Sequence, residues 1–523
     1  MKNIHFTFRL LLAFGLIFTL GQCDKTVEVP VFEAYPETSL DANAGTWKTY
    51  VLANGSQIAV PAPEAAASAA YQAELADLKT KMAGATAEQQ EQARHWGANG
   101  VLRWHEIARE MAAQYNVPPN YVPKTDSLGN VTYTYPAPDP MNPTVYPRFP
   151  FATPPYASRA FALLAVAQYD ALVTAWHHKF QHNRLAPYKN DATIRPLIPE
   201  NDLPSYPSED AVVAAASREL LKFLFPGEVS KINALAEEHK NSRLWAGANV
   251  QSDLDAGDSL GRIIATQVIN YAKTDGMGMA NNQAGFPNQR ADATARGITQ
   301  QWHSLDIPSR GPMLPTYGNV KTWNLDKPTM ISLRPAAPPQ PGTPAFETAI
   351  NELRDMAQNR TRDQFRIASY WADGVGSYTP PGHWNRKAAE YIHEKQFNEI
   401  RAARAMALMN TAIQDAGIAC WDVKYYYLLP RPTEVDPTVT TCTGIPNFPA
   451  FTSGHSTFSA AAATVLAYLF PDKATEVDAM ALEAANSRIY GCIHYRFDSE
   501  VGLTHGKQIG AFGVLRGQSD GSQ

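Results

Sequence analysis

The sequence runs to 523 residues with 45% apolar and 18% charged side chains, a globular balance that excludes a disordered or coiled-coil chain. Lys and Arg number 45 against 50 Asp and Glu, and the net charge of -5 comes with no long single-sign run, which excludes a nucleic-acid binder resting on a basic face. Four cysteines are too few for a disulfide scaffold, and 39 prolines predict long structured loops between helices.

Lys2 and Arg9 flank the start of an uncharged apolar run over 10–20, too short to span a bilayer and shaped like a signal-peptide core. It ends at Leu20-Gly21-Gln22-Cys23, which resembles a bacterial lipobox with Cys23 as the acylated first residue. Gln22 departs from the small residue usual there, and ordinary cleavage after Gly21 is the alternative. The expectation is an exported chain in a bacterial periplasm or at the cell surface, attached to the membrane only through a lipid on Cys23. No other uncharged stretch is long enough to span.

Five segments follow: a signal over 1–22, an N-terminal extension over 23–150, a first helical bundle over 151–275, a connecting region over 276–399 and a second bundle over 400–515. The extension predicts helices near 63–82 and 86–115. Low breaker content and apolar spacing predict bundle helices over 156–175, 211–225, 229–245 and 252–274. Pro-rich loops over 308–345 and a helix near 346–358 occupy the connection. The second bundle predicts helices over 400–419, 456–470, 473–490 and 499–515, each 245 residues or so after its counterpart. At an offset of 245 the two bundles align without a gap: Trp176 with Trp421, Lys179 with Lys424, Ser208 with Ser453, Leu224-Phe-Pro226 with Leu469-Phe-Pro471, and Asn241-Ser-Arg243 with Asn486-Ser-Arg488. Strands are few. The fold class is all-α, two four-helix bundles related by internal duplication.

Three pieces of the second bundle carry chemistry: Lys424 seven residues ahead of Arg431-Pro432, Ser453-Gly454-His455 opening a helix, and Ser487-Arg488 with His494 six residues on. Brought together, Lys424, Arg431 and Arg488 need an anion, and Arg forks suit the bidentate contacts of a tetrahedral oxyanion. Ser453 and the Gly454 amide stand at a helix N-terminus, which favours negative charge. Two histidines then serve as nucleophile or axial ligand and as general acid/base.

Together these pieces resemble the signature of the type 2 phosphatidic acid phosphatase (PAP2) and vanadium-dependent haloperoxidase superfamily, Lys-x6-Arg-Pro, Pro-Ser-Gly-His and Ser-Arg-x5-His, with Thr452 where that family has proline. The segments 370–376 and 379–385 and the run Phe448-Pro-Ala-Phe-Thr-Ser-Gly-His455 are similar to its haloperoxidase-type members. The resemblance implies that His494 bonds to the vanadium of a vanadate cofactor while Lys424, Arg431, Ser453, Gly454 and Arg488 hold its oxygens. His455 then handles protons, Lys424 polarises bound peroxide, and Trp421 and Phe448 form a halide pocket, although Trp176 at the matching place makes packing an equal reading of Trp421. The alternative implied by the same family is an exported acid phosphatase, with phosphate in the cage, His494 forming phosphohistidine and His455 protonating the leaving group. The small-molecule partners are peroxide and halide in one reading and a phosphomonoester in the other. A non-catalytic surface-anchored binder is a third reading.

In the first bundle Ala186, Glu209, Asp210 and Asn249 stand at the registers of Arg431, Gly454, His455 and His494, so that bundle is expected to hold no oxyanion. His177, His178 and His182 read as a solvated helix end, and Asp253, Asp255 and Asp258 lack the glycine and glutamate of an EF-hand loop. Cys420 and Cys442 flank the Lys424–Arg431 segment, and export permits a disulfide between them, which the first bundle does without. Cys492 reads as a buried small residue.

Overall fold

Side-chain caps fix where most helices of this chain begin. In the computed structural model, which describes residues 32–36, 39–115, 122–125, 131–134, 154–306, 311–374 and 377–522, Ser68 accepts the Tyr71 amide at the start of α1 (Ala69–Ala83) and a Thr86–Gln89 capping box starts α2 (Ala87–Trp96). The 1–22 signal and Cys23 lie outside the described residues. Asn99 caps α3 (Gly100–Gln114) from a left-handed conformation, φ 81°. The expected single helix over 86–115 is therefore two, because Gly97 closes one and Asn99 restarts the chain in a new direction. A two-stranded antiparallel hairpin, β1 (Val122–Thr125) with β2 (Val131–Thr134), pairs Val122 with Thr134. Every other described element is a helix.

The first bundle comprises α4 (Pro154–His182), α5 (Glu209–Leu224), α6 (Val229–Trp245) and α7 (Gln251–Lys273). After α8 (Phe286–Ala295), α9 (Pro344–Asn359), α10 (Arg362–Tyr370) and α11 (Thr379–Glu394) come the helices of the second bundle. These are α12 (Glu399–Tyr427), α13 (Gly454–Leu469), α14 (Ala474–Tyr490) and α15 (Arg496–Gln518), each equal in length to its counterpart and 245 residues after it. Both long helices outrun their sequence-based limits. No breaker stops α4 before Asn183 (φ 51°), and α12 ends only where Leu428 turns left-handed, φ 49°. His177, His178 and His182 thus ride on the last turns of α4, and His178 is buried with Nε2 2.8 Å from the Ile58 carbonyl oxygen, which corrects the expected solvated helix end. No group of three or more His, Cys, Asp and Glu among the described residues could hold a metal.

Contacts divide the chain into Met1–Glu33 and Ala34–Gln523, so both bundles belong to one unit. Within it α4 packs along α12, and α5 and α13 pack tightly on α7 and α15. Glycine permits that closeness: a Cβ on Gly261 would stand 2.4 Å from the Val212 carbonyl oxygen, and one on Gly506 2.3 Å from that of Thr457. Matching contacts recur on both sides. Arg159 Nε reaches Asp275 at 2.6 Å and Nη2 the Ala272 carbonyl at 2.7 Å, while Arg404 makes the same pair to Asp520 and Gly517. The regions taken as extension and connection share this symmetry. Trp96 Nε1 donates to Glu238 at 2.9 Å and Trp371 Nε1 to Glu483 at 2.8 Å, while Asp170 accepts the Tyr50 amide and Asp415 that of Trp323. No described helix is long and apolar enough to cross a membrane.

Candidate oxyanion site

The C-terminal end of α12, the N-terminus of α13 and the turn from α14 to α15 bring all three sequence pieces together. Lys424, in the last turn of α12, is fully buried, and its Nζ donates to the carbonyls of Pro449, Ala450 and Thr452 at 2.9, 2.9 and 2.5 Å. Burial draws its pKa down to about 7. Three carbonyl acceptors oppose that pull, because only the ammonium has three protons to donate. To touch an oxyanion directly, Nζ must release one of them.

Arg431 is held by its backbone as well as its fork. Its amide donates to Glu434 at 2.9 Å, Nε to the Phe448 carbonyl at 2.9 Å, and Nη1 to the Ile493 carbonyl at 2.8 Å and to His494 Nε2 at 3.0 Å. Its Nη2 is buried without a partner among the described residues. Arg488 anchors Nε on Ser487 Oγ at 3.0 Å and Nη2 on the Ala368 carbonyl at 2.8 Å. Burial lowers both guanidinium pKa values to about 10, a measure of how poorly solvated these cations are.

His494 stands between Arg431 and Asp498, whose carboxylate lies 2.9 Å from Nδ1. An arginine only donates, so Nε2 is the acceptor and Nδ1 carries the proton toward Asp498. Burial, then Arg431 and Lys424, keep His494 neutral by driving its pKa well down. Asp498 is itself fully buried, also accepts the Tyr495 amide at 3.1 Å, and is pushed up to about 7 by that burial. The sequence reading passed over it as a site residue. Its signal was present, since a carboxylate in the first turn of α15 is close enough in sequence to turn back to His494, just ahead of that helix.

His455 Nε2 lies 2.7 Å from the Trp371 carbonyl oxygen, which fixes the proton on Nε2 and leaves Nδ1 as a lone pair. Burial and the Arg488 charge lower its pKa well below the usual imidazole range. Ser453 Oγ caps α13 by accepting the Ser456 amide at 3.4 Å, and its own amide donates to the Asp498 carbonyl at 2.9 Å. Thr452, in the place of the family's proline, follows a cis peptide, as does Pro207 at the matching place of the first bundle.

A largely apolar cavity of about 360 Å³ reaches this site at Gly454, His455, Arg488 and His494. Trp421 and Phe448 form part of its wall with ring centroids 4.8 Å apart. Trp421 is also packed, being 1% exposed with Nε1 on the Met313 carbonyl at 3.3 Å, so it both lines the cavity and fills the core. Lys424, Arg431 and Ser453 lie behind the lining.

The first bundle presents two of the three cations, Lys179 and Arg243, with different neighbours. Lys179 Nζ meets Glu209 at 2.5 Å, and Asp210 lies 2.8 Å from His239 Nε2 and 3.6 Å from Arg243 Nη1. Asn249, at the register of His494, is 3.2 Å from Ser208 Oγ. Asp253, expected not to bind calcium, accepts the Val250 amide at 3.0 Å and lies 3.6 Å from Arg184 Nη1. The Cys420–Cys442 disulfide is not formed: Cys420 turns to Thr452, with its sulfur 3.6 Å from that carbonyl, and Cys442 to the Tyr490 carbonyl at 3.7 Å. Cys492 is buried, as expected.

Residues 403–516 match the model of the PAP2 superfamily. The chain carries a PAP2 superfamily domain. Its fold is similar to that of solved vanadium-dependent haloperoxidases. Among solved structures it is similar to the first bacterial vanadium-dependent iodoperoxidase, at 24% identity over 70% of this chain and 91% of that one, TM-score 0.55. It is similar also to the holo-type bacterial vanadium-dependent chloroperoxidase, at 13% identity over 71% and 93%, TM-score 0.51, and to its apo-type, at 14% over 69% and 94%, TM-score 0.51. No curated protein matches the chain. The matched residues cover all but the first four and last two residues of the second bundle and include every candidate site residue.

Proposed function

We propose that this PAP2 domain holds one tetrahedral oxyanion between Lys424, Arg431, Arg488 and the N-terminus of α13, and that the chain is a vanadium-dependent haloperoxidase-like enzyme oxidising halide with peroxide. The observation that carries the oxyanion is the contrast between the bundles. Glu209 and Asp210 neutralise Lys179 and Arg243, whereas Gly454 and His455 stand opposite Lys424 and Arg488 and offer no charge. A buried guanidinium atom without a partner among the described residues, Arg431 Nη2, and the unprotonated Nε2 of His494, which accepts only from Arg431 Nη1, fit vanadate. When bound, vanadate supplies a Lewis-acidic centre that activates peroxide toward halide.

The chain's own residues have definite tasks in this reading. His494 would hold the vanadium of vanadate through Nε2, with Asp498 fixing its tautomer and raising its basicity. Arg431 and Arg488 compensate oxyanion charge, and Lys424 adds a point charge. His455 accepts or returns a proton at Nδ1 while its Nε2–H stays on the Trp371 carbonyl. Trp421 and Phe448 exclude water from the approach of halide. One observation favours a second reading, phosphomonoester hydrolysis: a neutral histidine backed by a buried carboxylate is equally an activated nucleophile. In that reading a P–N bond forms at His494 Nε2 as the ester P–O bond breaks, and the leaving oxygen takes a proton that His455 Nδ1 has first accepted from water.

We read the first bundle as the product of an internal duplication, kept to buttress the second, and the segment boundaries at 150, 275 and 399 as those of extension, bundles and connection. Export through the 1–22 signal, with a lipid on Cys23, completes the reading. Because one cage serves both anions, phosphate and vanadate must compete. Equilibrium dialysis should show vanadate displaced by millimolar phosphate. Vanadate retained unchanged would refute the shared site.

A further inference from the structure

The cavity wall and the turn that carries His494 meet at two thiols. Cys442 Sγ lies 3.7 Å and Cys492 Sγ 4.0 Å from one atom, the Tyr490 carbonyl oxygen. The two segments adjoin there too, since a Cβ on Gly491 would stand 3.0 Å from the Thr443 side-chain oxygen Oγ1. Arg360 spans the same junction, with Nε on the Tyr490 carbonyl at 2.6 Å and Nη2 on the Thr440 carbonyl at 3.3 Å and Cys492 Sγ at 3.1 Å. Cys442 is partly exposed and Cys492 is buried. A reagent therefore reaches the first sulfur, and the second waits behind it.

We propose that Cys442 and Cys492 form a reversible disulfide that staples the cavity-wall loop 443–448 to the turn bearing Ile493 and His494. Two thiols facing one carbonyl oxygen need side-chain rotation and little backbone movement to reach the bonding distance of about 2.05 Å. The consequences are local and definite. Thr443–Phe448 and Ile493 line the cavity, and the Ile493 carbonyl holds Arg431 Nη1. A bond between Cys442 and Cys492 thus restrains one wall of the cavity and one anchor of the cage together.

The oxidant is a hydroperoxide, hydrogen peroxide being the simplest. The Cys442 thiolate attacks a peroxide oxygen, the O–O bond breaks, and a sulfenic acid and one water form. Cys492 sulfur then attacks the sulfenic sulfur and expels a second water. Two thiols give up two electrons and two protons, and one peroxide becomes two waters. The bond does not depend on which oxyanion the cage holds.

The test uses the full chain without added oxyanion, treated with one equivalent of hydrogen peroxide, alkylated in denaturant and digested without reduction. Mass spectrometry should find the Cys442 and Cys492 peptides joined, lighter by two hydrogens, and separated again by a phosphine. Hydrogen exchange of the amides of Thr443, Gly444, Ile445 and Asn447 should slow on oxidation in the wild type and stay unchanged in Cys442→Ser, whose partly exposed position keeps the fold. Full alkylation of both thiols after peroxide would overturn the proposal. So would a sulfinic acid at Cys442 beside a free Cys492, a bond to Cys420, or unchanged exchange in the cross-linked protein.

Discussion

Asp210→Ala should destabilise the protein by about 3–5 kcal/mol without removing the oxyanion site. The carboxylate lies 2.8 Å from His239 Nε2 and 3.6 Å from Arg243 Nη1, and those partners are 0% and 1% exposed. His239 accepts the Trp104 indole N–H at Nδ1, so its proton sits on Nε2 and points at Asp210. Removing Asp210 leaves a guanidinium buried with two neutral partners, Ser242 Oγ and the Ala93 carbonyl, and no countercharge. Breaking a buried pair from one side costs about 3–5 kcal/mol, against about 5–15 kcal/mol for a whole fold. Urea unfolding followed by tryptophan fluorescence should show a lower midpoint with an unchanged slope. Trp96, stacked on His239 with centroids 4.3 Å apart, reports on the site directly. Burial pushes the Asp210 carboxyl up, but Arg243 and the His239 hydrogen bond outweigh it and hold its pKa below the usual 3.8. Its contribution is therefore complete above that value and lost as pH falls through the lower folded one, so variant and wild type should converge in strong acid. A loss under about 1 kcal/mol, or loss of vanadate with Asp210, would refute the assignment of this bundle.

Asp498→Ala should raise the vanadate dissociation constant about 10–100-fold, because His494 loses the partner that fixes its tautomer. Equilibrium dialysis checks it, and tighter binding would show that removing a negative charge matters more than orienting the ligand. Burial pushes Asp415 up to about 7 against the hydrogen bonds from Trp323 and Asn324. The folded state therefore holds that proton more tightly than the unfolded one, and stability from this group declines as pH rises from about 4 to about 7. Asp415→Asn should flatten that part of a denaturation-against-pH curve, and an unchanged slope would contradict the sign.

Much of this was legible in the sequence because the repeat and the signature both work at fixed spacing. The offset of 245 carries four helix pairs and puts Glu209 and Asp210 where Gly454 and His455 stand. What it could not show is the symmetry of the outer helices. Tyr50 and Trp323 occupy matching places on Asp170 and Asp415, yet intervening loops of unequal length change their spacing. Asp498 lies four residues after His494 but outside the three signature pieces, so the sequence did not single it out. Cys442 pairs in space with the turn after Tyr490, and no local rule joins positions so far apart. The three carbonyls around Lys424 are likewise a property of loop closure, since Pro449, Ala450 and Thr452 surround it only once that loop folds back.

The most direct measurement loads the purified chain with orthovanadate, counts vanadium by mass spectrometry, and assays peroxide-dependent oxidation of iodide, bromide and chloride. Phosphomonoester hydrolysis is measured on the vanadate-free chain in parallel. The account predicts one vanadium per chain and halide oxidation that disappears in His494→Ala together with the metal. Two vanadium atoms per chain, or phosphomonoester hydrolysis with no halide oxidation by the loaded protein, would contradict it.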